Sequence, residues 1–209
     1  MTDIVEAPVI HSTRVARALA TGVLGGFGLG VVARAWMRFV TTTPEFTWNG
    51  TMFIVVGFTI FGLAQTASLL GRRRARRTAV RRAARVVGAI GLVPLFGAAG
   101  GMMLPTVVGG GFAVARTEWP KTARVIALLV AAVPVSVVSS DIVGDFGWSV
   151  HSVVAIGGLV ALYGTIVRVA RPTFALPDGA TRLPRVVTIV GFVALCLPVA
   201  FMTIGITRG

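Results

Sequence analysis

Gly71-Arg72-Arg73-Arg74-Ala75-Arg76-Arg77-Thr78-Ala79-Val80-Arg81-Arg82-Ala83-Ala84-Arg85 is the stretch on which the fold of this chain turns. It packs eight arginines between two long apolar runs. A cluster of this kind does not cross a bilayer, and short loops rich in Lys and Arg stay on the cytoplasmic side. The stretch therefore predicts an integral membrane protein and fixes its orientation. Two apolar runs precede it, so the N-terminus is expected on the cytoplasmic side as well.

The composition agrees. Of 209 residues, 55% are hydrophobic and 13% charged, whereas a soluble domain carries about 25% charged residues. The mean hydropathy is +0.87. The apolar residues lie in blocks, as crossing helices of about 20 residues require. The expected segments are Ala18–Val32 (extending toward Val40), Thr51–Leu70, Val86–Ala115, Val125–Ser139, Val150–Val167 and Val186–Ile206. The connections are short, so the expectation is a single all-α membrane domain over residues 1–209, a polytopic helix bundle of five to six crossings.

The net charge is +13. In a soluble protein that would point to nucleic acid. Here the arginines punctuate hydrophobic helices. The expected partners are membrane lipids, with anionic headgroups at Arg72–Arg85, and not nucleic acid. The basic residues are 19 Arg and the single Lys121, among abundant Ala, Val and Gly, a composition that suits a GC-rich bacterial genome and a place in the plasma membrane. The one cysteine, Cys196, makes no intrachain disulfide. Arg14 and Arg17 precede the first apolar run, but that run is long for a signal peptide and further spans follow, so a retained first helix is expected.

Charge placement discriminates two topologies. Six full crossings put 11 basic residues inside and nine outside, a poor bias. If Val86–Ala115 instead dips in and returns, 17 lie inside and only Arg34, Arg38 and Arg208 outside. The segment tolerates a break, since it contains Pro94, Gly97, Gly100-Gly101, Pro105 and Gly109-Gly110-Gly111. Its 30 residues are long for one crossing. Each half would reach only ~21 Å. Five crossings with a broken or re-entrant third segment is the favoured arrangement. Trp36, Trp48, Trp119 and Trp148 fall near segment ends, as an interfacial belt predicts.

Three constellations carry the remaining signal. Gly22, Gly26 and Gly30 lie on one helix face, where small residues allow close packing within the bundle or across a homo-oligomer. The outer stretch from Arg34 to Thr51 is dense in polar and aromatic residues. Arg34 and Arg38 share a helical face, Pro44 breaks the chain, Glu45 can fold back toward them, and Thr47 or Asn49 can cap the next helix. With Trp48 and Asn49 these residues form either a structured hairpin or a surface for a headgroup, glycan or protein partner; the surplus positive charge suits a phosphate or carboxylate. Asp141, Asp145 and His151 form a weaker candidate for hydrolase or metal chemistry. Gly144 and Gly147 suggest a turn among them, and a zinc or calcium site would need more ligands. No metal or cofactor is expected.

Arg34-x-Trp36-Met37-Arg38, Pro44-Glu45-Phe46-Thr47-Trp48-x-Gly50-Thr51, Gly101-Met102-Met103-Leu104-Pro105 and Trp119-Pro120-Lys121 followed by Arg124 resemble the pattern of an uncharacterised group of actinobacterial multi-spanning membrane proteins. The resemblance covers about a fifth of the chain and implies location and architecture, not an activity. The leading functional expectation is a non-enzymatic accessory, scaffold or lipid- or partner-binding component. A transporter or channel built on the broken third segment is the first alternative. A lipid-modifying enzyme at Asp141, Asp145 and His151 is the second.

Overall fold

The computed structural model describes residues 9–42, 46–74, 78–99 and 101–175, which are helical almost throughout. Among them run α1 (Val9–Val40), α2 (Trp48–Arg74), α3 (Thr78–Ile90), α4 (Leu92–Ala99), α5 (Met103–Ala115), α6 (Lys121–Phe146) and α7 (Val150–Phe174). Thr13–Val40, Trp48–Arg73, Lys121–Phe146 and Val150–Phe174 are long and apolar enough to cross a membrane. The shortest of them, 25 residues, rises ~38 Å, against a hydrocarbon core of ~30 Å. Leu24, Phe53, Leu129 and Val154 stand exposed on these helices, an arrangement suited to lipid and not to water. The protein is membrane-embedded and all-α. Val186–Ile206 and Cys196 lie outside the described residues.

The glycine ladder of α1 packs inside the chain. A Cβ at Gly22 would strike Thr66, one at Gly26 the carbonyl oxygen of Phe58, and one at Gly30 would lie 2.9 Å from Val55 Cα. Gly62 answers from α2, where a Cβ would meet the backbone of Gly22 and Gly26. Dispersion between close backbones is what associates helices in lipid, so these glycines hold α1 antiparallel to α2. Gly25 and Gly28 face open space.

The third apolar segment is broken. Gly91 separates α3 from α4, and a turn at Gly101 and Met102 precedes α5. Pro94 and Pro105 each fall in the first turn of their helix, where a missing N–H costs nothing. The first piece begins at Thr78, inside the arginine cluster and ahead of the apolar run. It can do so because Ala84, Gly88 and Gly91 turn a small-residue stripe toward Gly71, Ser68 and Ala64 of α2. The ascent continues with Pro94 and Ala98 against Gly57, and Gly97 near Phe53.

The segment then returns. In α5, Thr106 donates to the carbonyl of Ala131 at 2.8 Å, Gly109 packs on Ala127, and Arg124 donates to the carbonyl of Ala113 at 3.1 Å. Phe112 meets Phe174, at the end of α7, with ring centroids 5.0 Å apart. Arg85, at the start of the ascent, bonds Thr173 of the same turn. Both feet of the 78–115 hairpin thus stand at one end of the bundle. Six full crossings would need Arg85 and Arg116 at opposite ends.

Two expectations need correcting. Gly144 does not turn the chain: α6 runs through it to Phe146 and stops at Gly147, whose φ of 64° favours glycine. The tryptophans divide in role. Trp48 and Trp148 are exposed as belt residues should be. Trp36 instead ties α1 to α7 by donating to the Ala155 carbonyl at 2.8 Å, and Trp119 is buried on Phe112 at 5.5 Å.

Candidate anion-binding site at the arginine end

The last turn of α7 organises this end. Its carbonyls carry the negative end of the helix dipole. Arg72 donates to the carbonyl of Pro172, and Arg85 Nε to that of Thr173 at 3.3 Å. Below the turn lies a buried polar node. The Thr173 hydroxyl donates to Gln65 Oε1 at 2.7 Å, and Gln65 Nε2 donates to the Gly88 carbonyl at 2.8 Å. Ser68 is fully buried beside Gly88, its hydroxyl without a partner. The node joins α2, α3 and α7, so it sets where Arg72, Arg85 and Arg171 emerge.

Between these helices opens a pocket of about 460 Å³, lined by Arg72, Arg73, Arg81 and Arg171 with Leu69, Pro172 and Ala175. Among the described residues, those lining it include no carboxylate. Four like charges around one opening repel, and water and salt screen them only in part within a Debye length of ~8 Å. Guanidinium groups offer forked donors that match phosphate oxygens. The arrangement can receive a phosphate or carboxylate. Arg73 and Arg81 reach it from two different helices.

Arg116 caps the C-terminus of α5 at the same end. It is 7% exposed. Its guanidinium lies 5.6 Å over the Phe112 ring and reaches Glu118 at 3.5 Å. Burial lowers the pKa of Arg116, with Glu118 pulling the other way. Burial, followed by the charges of Arg116 and Arg72, lowers that of Arg85.

At the opposite end, Arg34 Nε donates to the Thr51 hydroxyl at 3.1 Å, and Arg38 sits 5.5 Å over Phe46, which meets Trp48 edge-on. This is the packing of a structured α1–α2 corner. Glu45 lies outside the described residues. Asn49 lies in the first turn of α2, which follows Thr47, whose carbonyl receives both the amide and the hydroxyl of Thr51. Asp141 and Asp145 share an exposed face of α6, while His151 is held by Phe39 at 4.1 Å and Phe146 at 4.4 Å. No hydrogen bond or ion pair joins these three, and the described residues contain no group of three or more His, Cys, Asp or Glu that could hold a metal ion.

Neither Gln65 nor Arg116 stands out in the sequence as a site residue. The available signal was an amide inside an apolar run, and an arginine beside the Trp119-Pro120 corner that closes the hairpin. No protein-family model matches the chain, and neither the curated proteins nor the solved structures provide a match.

Proposed function

We propose that this chain is a non-enzymatic component of a bacterial plasma membrane that binds anionic lipid headgroups at a cytoplasmic arginine end. The observation that carries this is the pocket lined by Arg72, Arg73, Arg81 and Arg171, guanidinium groups brought to one opening by three helices. It opens where the feet of the hairpin meet the end of α7, at the depth where headgroups of the cytoplasmic leaflet lie if the arginines obey the positive-inside rule. Each Lys or Arg near an anionic leaflet contributes about 1 kcal/mol, and a preformed pocket adds direction to that attraction.

Native mass spectrometry of the purified protein tests this. Phosphatidylglycerol is expected to remain bound where phosphatidylcholine does not, and the double substitution Arg81→Gln with Arg171→Gln to remove that preference. Equal retention of both lipids, or a preference untouched by the double substitution, would count against it.

A small-molecule transporter is the second reading. It draws on the broken 78–115 hairpin, because interrupted helices at membrane depth often flank a transport pathway. Solute flux in proteoliposomes, abolished by Gln65→Leu, would favour it over lipid binding.

A further inference from the structure

Arg116 is the unusual cation of the arginine end. It is more than nine-tenths buried, and its Nε has no hydrogen-bond partner. Glu118, the one carboxylate beside it among the described residues, is two residues away and accepts from Nη1 at 3.5 Å, the long limit of such a contact. The guanidinium rests over Phe112, and Phe112 packs on Phe174. The neighbouring Thr173 carbonyl receives Arg85 Nε. Arg85 comes from the foot of the ascending leg and Arg116 from the foot of the returning leg, so both legs present a guanidinium at one turn of α7. The charges of Arg116 and Arg72 both bear on Arg85. Arg116 thus stands in a partly desolvated place with one long bond to Glu118, and its buried Nε donor is left over. Unpaired buried charge is costly, and a hydrogen-bonded anion is what relieves it.

We propose that Arg85 and Arg116 form a phosphate oxyanion site that joins the two feet of the hairpin, separate from the open pocket of Arg73, Arg81 and Arg171. Phosphate is the fitting class because its oxygens accept from guanidinium N–H groups on two sides at once. Arg116 Nε donates one of those bonds. The oxyanion belongs to a lipid phosphodiester or to free phosphate; the chemistry at the two arginines is the same. Bound there, it pins α3 to α5 and closes the hairpin at its base.

The test uses the full chain in mild detergent. Two probes are titrated at constant ionic strength, inorganic phosphate and phosphatidylglycerol, and thermal unfolding and affinity are read. Wild type and Arg17→Gln, which removes an exposed charge outside both arrangements, are expected to be stabilised and to bind equally well. Arg116→Gln is expected to weaken that binding by about tenfold or more, as loss of a charge-assisted bond implies. Response to inorganic phosphate assigns the free ion as a sufficient ligand. Response to phosphatidylglycerol alone assigns the lipid; both support the site, provided they depend on Arg116. Unchanged affinity in Arg116→Gln, or no response of wild type to either probe, overturns it. Loss in Arg81→Gln with none in Arg116→Gln also overturns it, while supporting the open pocket. Should Arg116→Gln not fold, Arg85→Gln and Arg116→Lys decide: a wild-type affinity in Arg85→Gln refutes the site, and partial retention in Arg116→Lys together with loss in Arg85→Gln supports it.

Discussion

Thr173 donates its hydroxyl hydrogen to Gln65 Oε1 at 2.7 Å, joining two buried side chains 108 residues apart. Gln65 passes the connection on to the Gly88 carbonyl. One amide thereby fixes α7 and α3 to α2 just beneath the arginines. In a hydrophobic bundle this amide is a liability if either partner is lost, because nothing around it can replace the bond.

Gln65→Leu is therefore predicted to destabilise the protein. Interhelical hydrogen bonds in lipid contribute ~0.6 kcal/mol on average, but an orphaned buried partner adds about 1–3 kcal/mol. The sum is expected to lie toward the upper figure, since both Thr173 and Gly88 lose a partner. Thermal unfolding in detergent measures it. A wild-type melting temperature would mean the node is not structural.

The glycine ladder gives a paired prediction. Gly26→Val places side-chain atoms where the Phe58 backbone already stands, so α1 and α2 must separate. Gly25→Ala faces open space and should be neutral or stabilise by up to ~1 kcal/mol, because alanine orders a helix at lower cost than glycine. Helix proximity, read by crosslinking cysteines placed on α1 and α2, should fall for the first and hold for the second. Equal behaviour would return the ladder to an external, oligomeric role.

Trp36→Phe keeps the ring and removes the bond to Ala155. The Ala155 carbonyl sits within a helix, so the cost should stay near the average of ~0.6 kcal/mol for such a bond. Hydrogen–deuterium exchange at the start of α7 should rise modestly. Global unfolding would show that Trp36 carries more than this one contact.

The legible and illegible parts of the chain divide along physical lines. Blocks of apolar residues mark spans, because only length and hydropathy matter there, and α2, α6 and α7 lie within a few residues to a turn or two of their expected limits. The arginine cluster foretells the end at which the hairpin stands, because charge cannot cross. The break in the third segment was visible in its Gly and Pro. The extension of α3 into the arginines was hidden, as it depends on α2 offering Ser68 and Ala64 to a small-residue stripe. The arrangement of arginines at this end was legible as charge but not as geometry. Arg73, Arg81 and Arg171 come from three helices, and the burial of Arg116 follows from its contact with Phe112. At the α1–α2 corner, Arg34 bonds Thr51 and Arg38 sits over Phe46, while Glu45, expected to fold back toward both, lies outside the described residues.

Everything proposed for the arginine end depends on the hairpin returning to the side from which it enters. Single cysteines at Thr117 and Gly144, in a Cys196→Ser background, test this directly in intact cells with a membrane-impermeant thiol reagent. Thr117 follows the returning leg, and Gly144 lies near the far end of α6. The account predicts that Gly144→Cys is labelled and Thr117→Cys is not, until the membrane is permeabilised. Labelling of Thr117→Cys with protection of Gly144→Cys would contradict it, placing Arg116 across the membrane from the arginine cluster.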